Sequence, residues 1–317
     1  FSGWLDGIAV HRVLLDDKAI AQRFKRVGGP QIVKNQAEPT AKPKPKTKPL
    51  PEVMPEVDAP SGKVLLTIAE GFPTELRWRH EGEPEPKEFV RWSGDAFVLP
   101  RIPIRHDAWG IRAAWKVPLL LRMVADVEIP QGEQRFMMRT RALSRLWIDG
   151  ELVARGEPIT KQPPNGEEPV TPVRKPPLPG LRIAGYHQQE VFGTANITNK
   201  TSRIVFETVV GGTRLRPETG EILLALQTPD GKSYSIVRPD GNHLPLIDQN
   251  VEPVLESVGE KLDEMNDMDR RTLAAKHDQF WSMRHDFAKK WAQANPAPPV
   301  PEMPGVENPI DAFIQAK

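Results

Sequence analysis

LLLRMVADVEIPQGEQRFMMRTRALSRLWIDGELVAR, residues 119–155, is the stretch where apolar pattern, turn chemistry and length agree on a structure. Leu119, Leu121, Met123, Ala125, Val127 and Ile129 occupy every second position, which puts them on one face of a long strand. Pro130-Gln131-Gly132 then supplies turn chemistry. The next strand alternates again, with Phe136 and Met138 on one side and Arg135, Arg139 and Arg141 on the other. Residues 144–148 run into Asp149-Gly150 and return through 151–154. An Asp-Gly pair tolerates the positive φ angles of a type I′ turn and is a strong hairpin signal. That turn sets Ile148 opposite Glu151, Trp147 opposite Leu152 and Leu146 opposite Val153. The expectation is a β-meander.

Short strand candidates lie on both sides of it. Upstream they are 64–69, 76–79, 88–92 and 96–99, separated by Gly71-Phe72-Pro73 and the polar run 82–86. Downstream they are 187–197, 203–210, 221–227 and 233–237, the last following Pro229-Asp230-Gly231. Short strands with turn signals at this spacing indicate an antiparallel β-sandwich. From Pro253 the period changes. Val254, Leu255, Val258 and Leu262 fit one helix, and Leu273, Phe280, Trp281, Phe287 and Trp291 fit a second. The fold class expected is therefore mainly β, an antiparallel sandwich with a C-terminal α-helical hairpin and Pro-rich linkers.

The 34 prolines exceed a typical share and are concentrated. They place a Pro/Lys-rich linker at 31–61, an insertion at 156–180 and a link from 296 onward. Alternation of Pro with Lys and Glu in the first of these favours a solvated polyproline II spacer. The insertion is long for a loop and is expected to be mobile. Lys plus Arg is 43 against 42 for Asp plus Glu, so no whole-chain attraction to nucleic acid arises. No apolar run reaches the ~20 residues of a membrane-spanning helix. Cysteine is absent, which excludes disulfides, thiol catalysis and Cys-based metal or haem attachment within these residues. The first residue is Phe1 rather than Met, which suggests a processed product or an excised piece.

Residues 4–15 read as a strand and 18–27 as a short helix capped by Asp16-Asp17 and stopped by Gly28-Gly29-Pro30. Leu5-Asp6-Gly7-Ile8-Ala9-Val10-His11-Arg12, with Ala19-Ile20, resembles the closing end of a laminin-G or concanavalin-like domain, here 1–30. Ser144 to Val153, SRLWIDGELV, resembles the hallmark strand of the anthrax protective-antigen-like β-sandwich, here 62–245. In sugar-binding members of that family an Asp pair coordinates calcium just before this strand. Arg141-Ala142-Leu143 stands there instead and cannot supply hard oxygen ligands. The resemblance therefore implies the sandwich without the calcium site, and no cofactor is expected in this chain. After a helical hairpin at 246–295, Asn308-Pro309-Ile310-Asp311 with Phe313-Ile314 resembles the start of a helical domain in planctomycete-type cytochrome c/PSD multidomain proteins. That resemblance makes residues 296–317 a linker and the first turns of such a domain. It implies an exported, periplasmic or cell-surface protein linked to polysaccharide handling.

No phosphate loop, His-Glu-x-x-His or Gly-x-Ser-x-Gly motif occurs, so this chain is not expected to be an enzyme. Glu218 and Glu221 flank a turn, but nothing singles them out as a glycosidase pair. Sugars stack on exposed tryptophans, which makes Trp92 and Trp109 carbohydrate-binding candidates. Core packing is the commoner fate of such residues. Arg139 and Arg141 can grip carboxylate or sulfate bidentately, against the commoner role of a solvated or ion-paired sheet face. The expected function is a non-catalytic carbohydrate-binding or spacer module, its partner a polysaccharide. The alternative is a structural module docking the adjoining domains of the same protein, which would leave Phe280, Phe287 and Trp291 exposed in isolation.

Overall fold

The computed structural model describes residues 48–157, 175–185, 188–212, 217 and 220–317. The expected elements at 4–15 and 18–27, and most of the 156–180 insertion, lie outside the described residues.

Two antiparallel sheets enclose one main core. The first runs in the order β2 (Lys87–Gly94), β1 (Val64–Glu70), β6 (Leu119–Glu128), β11 (Thr201–Val210), β8 (Ser144–Ile148), β9 (Glu151–Gly156). The second runs β10 (Gln189–Ile197), β7 (Gly132–Thr140), β12 (Ile222–Gln227), β13 (Tyr234–Ile236), β14 (Leu244–Pro245), with β3 (Val98–Leu99) also pairing with β12. Leu119, Leu121, Met123, Ala125, Val127 and Ile129 all enter the main core, and Phe136 and Met138 meet them from the opposite sheet. The alternation read from the sequence thus becomes the two walls of a sandwich.

The meander itself is corrected. β6 pairs with β1 and β11, whereas β7 pairs with β10 and β12, so the turn at Pro130-Gln131-Gly132 carries the chain from one sheet to the other. A hairpin between β6 and β7 would place both apolar faces in one layer and leave the core with a single wall. The β8–β9 hairpin does form, with φ of 49° at Asp149 and 92° at Gly150. Its first two pairs match the expected register, but Leu146 faces Ala154 rather than Val153. A bulge there adds one residue to β9, and both Val153 and Ala154 lie against the core. The turn is pinned sideways, since Asp149 Oδ1 accepts from the Arg203 backbone N–H at 2.8 Å.

Residues 76–79 do not form a strand. Leu76 takes a φ of 51° and Trp78 meets Phe72 edge-on, where both residues pack against Ala69, Leu120 and Val209 on the outer side of the first sheet. The end of the expected linker is also ordered by packing. Met54, Val57 and Ala59 cover Leu65, Val124, Trp147 and Val205, while Glu52 pairs with Arg145 at 2.8 Å. Residues 48–60 therefore close the outer face of the first sheet, where a solvated spacer was expected.

The outer face of the second sheet is closed by helix α1 (Asp248–Ala275), through Val251, Val254 and Leu255. Further along, Val258, Leu262 and Met265 reach the main core. Only Lys276 and His277 separate α1 from α2 (Asp278–Ala294). The C-terminal region is helical as expected, but α2 contains no buried residue. The two helices therefore do not pack as an antiparallel hairpin. A short helix α3 (Pro309–Gln315) begins at Asn308, whose side chain accepts from the Ile310 N–H at 3.0 Å.

Candidate functional site

Between β3 and β6 the chain leaves both sheets and folds a small hairpin, β4 (Arg105–His106) paired with β5 (Arg112–Ala113). Asp107 fixes its tip, because Oδ1 accepts from the backbone N–H of Trp109 at 2.8 Å and of Ile111 at 3.0 Å. The hairpin and its approach are strapped to α1 almost turn by turn. Arg101 donates to Asp263 at 2.7 Å, the Ile104 N–H donates to Asn266 Oδ1 at 2.8 Å, and His106 Nδ1 lies 3.1 Å from Asp269. Gly110, at φ +74°, rests on the helix so closely that a Cβ there would stand 2.6 Å from the Arg270 carbonyl oxygen. Positions 263, 266, 269 and 270 of the helix lie at three- and four-residue intervals, so one helical face makes these contacts.

Trp109 projects from the tip. Its indole lies flat on His277, with centroids 3.6 Å apart and planes 13° from parallel, and His277 Nε2 donates to the Ala108 carbonyl at 2.9 Å. Phe280 meets the same indole edge-on at 5.6 Å, and Trp281 meets Phe280 at 5.3 Å. Trp109 is still 44% exposed, and the aromatic run continues along α2 to Phe287 and Trp291, which are 71% and 59% exposed. Arg284 lies over the Phe280 and Trp281 rings.

Beside the hairpin is an open cleft of about 780 Å³, lined by Arg101, Ile104, Arg105, Arg112, Trp115 and Asp263 among others. Trp115 is held by its Nε1–H, which donates to the Pro103 carbonyl at 3.0 Å, and by the edge of Phe89 at 5.2 Å. Arg105 pairs with Glu70 at 2.9 Å and lies over Phe89. This volume falls within the range of small-ligand clefts.

The four candidates from the sequence do not converge. Trp109 stands in this region. Trp92 is half-buried and packs against the main core from the edge strand β2. Arg139 is fully buried on β7, with Nε donating to Glu190 at 2.9 Å, an Nη donating to the Arg182 carbonyl, and Glu221 3.9 Å away. Full burial rules it out as a ligand-gripping residue, since no part of its guanidinium reaches solvent. Arg141 lies just past the end of β7 and is half-buried, apart from Trp109 in sequence and sheet. Glu221 is engaged by Arg182 at 2.8 Å, and Glu218 lies outside the described residues. Ala142 and Leu143 are buried in an apolar cluster. Among the described residues no group of three or more His, Asp or Glu is placed to hold a metal. Arg101, Arg105, Arg112 and Trp115 were not legible as a site, because an irregular segment with no period brings them together.

No family model and no curated protein matches the chain. Solved structures with some similarity include an anti-sigma factor domain-containing protein, at 13% identity and a TM-score of 0.35 over 58% of this chain and 50% of that one. A "PA14 sugar-binding domain from RTX adhesin" aligns at 8% identity and 0.34 over 57% of this chain and all of that one. The epithelial adhesin 6 A domain from Candida glabrata, in complex with Galb1-3GlcNAc, aligns at 10% and 0.32 over 61% of this chain and 90% of that one. This chain spans half the length of the first of these. At such scores the likeness carries no argument, and the β-sandwich stands on its own sheets and core. Among the described residues no helix is long and apolar enough to cross a membrane.

Proposed function

We propose that this chain is a non-catalytic carbohydrate-binding module of an exported multidomain protein that handles polysaccharide, and that the sugar stacks at the tip of the β4–β5 hairpin. The observation that supports the reading is Trp109. One side of its indole is fixed on His277, the hairpin tip is held by Asp107, and 44% of the residue remains in solvent. A rigid, partly open aromatic surface presents a large apolar area at little entropic cost on binding. Depletion of the full chain from solution by insoluble polysaccharides tests it. Binding to at least one polysaccharide is expected, with loss of about tenfold or more in affinity on Trp109→Ala while the circular dichroism spectrum is unchanged. Retention of full binding by that variant, or depletion by none of the polysaccharides, removes the reading.

A second reading is favoured by one observation of its own. Helix α2 carries Phe280, Trp281, Met283, Phe287 and Trp291 exposed and buries none of its residues. Contiguous apolar surface of this kind marks interaction sites. In that reading the chain docks an adjoining domain of the same protein through α2. Lower oligomerisation or dye binding on Phe287→Ser with Trp291→Ser, without change in polysaccharide binding, separates the two roles.

A further inference from the structure

We infer that the cleft beside the β4–β5 hairpin selects an anionic saccharide, one bearing carboxylate or sulfate ester groups. The inference rests on the carbohydrate-binding reading above and adds the charge class of the sugar. Among the described residues, three guanidinium groups, those of Arg101, Arg105 and Arg112, line the cleft against the one carboxylate of Asp263. Asp263 is already paired with Arg101 at 2.7 Å, and Arg105 with Glu70 at 2.9 Å. Arg112 is exposed and has no carboxylate or hydrogen-bond partner among the described residues, so it is the uncompensated charge of the cleft.

Its surroundings suit a sugar ring as well as an anion. Trp115 and Ile104 give the cleft an apolar wall, and Trp115 is held in place by its bond to the Pro103 carbonyl. Arg101 and Arg105 each engage one carboxylate, so among the described lining residues no carboxylate is left without a cation to repel an incoming one from Arg112. A guanidinium presents two parallel N–H donors that match a carboxylate or sulfate edge. Register places Arg112 opposite His106 in the hairpin whose tip is Trp109, so one short element carries both the stacking surface and the charge.

Titration calorimetry of the full chain with oligogalacturonate, dextran sulfate and neutral dextran tests the inference. The expected result is that at least one acidic saccharide binds tenfold or more tighter than dextran at low salt, and that the advantage shrinks as salt rises. Arg112→Ala is expected to abolish that advantage and Arg112→Lys to restore part of it. Oligogalacturonate alone binding assigns a carboxylate ligand, and dextran sulfate alone a sulfate ester. Equal binding of dextran and the acidic saccharides, or a preference that survives Arg112→Ala, overturns the inference and leaves the carbohydrate-binding reading standing. Binding of none of the three, together with no depletion by any polysaccharide, removes both.

Discussion

Trp109 lies flat against His277, 3.6 Å between ring centroids, and so joins the hairpin tip to the junction of α1 and α2. Aromatic pairs contribute about 0.5–1.5 kcal/mol beyond their buried area. His277→Ala also removes the hydrogen bond to the Ala108 carbonyl. Loss of about 1–2 kcal/mol is expected in denaturant unfolding. Tryptophan emission should move to the red as the indole gains solvent, and an unchanged midpoint and spectrum would mean the stack is incidental.

Gly110 is the closest approach of the hairpin to α1. A side chain there meets both a strained φ of +74° and the Arg270 carbonyl at 2.6 Å. Gly110→Ala is expected to cost about 1–3 kcal/mol and to free the hairpin from the helix. Amide hydrogen exchange at residues 105–113 should quicken more than exchange in β6 or β11. Uniform protection across all three would show that the hairpin does not depend on this contact.

Asp95 links α1 to the sandwich by accepting from Lys261 at 2.8 Å and from Lys63. Those two hydrogen bonds, Lys261 first, hold its carboxyl down to about 2 from an ordinary 3.8. A depressed folded pKa contributes stability that is present above pH 3.8 and is lost as pH falls toward 2. The carboxylate is well exposed, so the contribution is small. Asp95→Asn should flatten the acid limb of a stability-against-pH curve between about pH 4 and 2 and leave it unchanged near neutrality in slope. An identical acid limb in the two proteins would contradict the assignment.

Arg139 is fully buried among Glu190, Glu221 and the Arg182 carbonyl. Arg139→Met keeps much of the volume but leaves Glu190 buried without its cation. The expected loss is about 3–5 kcal/mol in chemical denaturation. Adding Glu190→Leu should recover part of it, since the orphaned charge is then gone. A double variant no more stable than the single one would show that packing, rather than charge, is what Arg139 supplies.

The core was legible because it obeys a period of two. Met123, Val127, Phe136 and Met138 each alternate with other residues, and each is buried in the main core. The turn at Asp149-Gly150 was legible for a similarly local reason, the positive φ that both residues adopt. Partnership between strands was not. Nothing in the period of β6 and β7 distinguishes a hairpin from two strands on opposite walls, and only the need for two walls decides it. Arg139 looked like a surface residue because the pattern does not record that α1 and the 178–182 segment cover the outer face of the second sheet. The arm at 48–60 looked like spacer because Met54 and Val57 are scattered among prolines rather than spaced at a regular interval. Trp109 was found by residue type alone. Arg112 was passed over because its meaning comes from the partners that Arg101 and Arg105 have and it lacks.

In the proposed function the indole of Trp109 is the surface that a sugar covers. ¹⁵N-labelling of the tryptophans and titration with a bound saccharide reads each indole N–H separately, with Trp109 assigned from the spectrum of Trp109→Phe. The Trp109 indole signal is expected to shift progressively with saccharide, while that of Trp147, buried under the arm, stays in place. A Trp109 signal that does not move while saccharide binds, or shifts confined to Trp281 and Trp291, would contradict it.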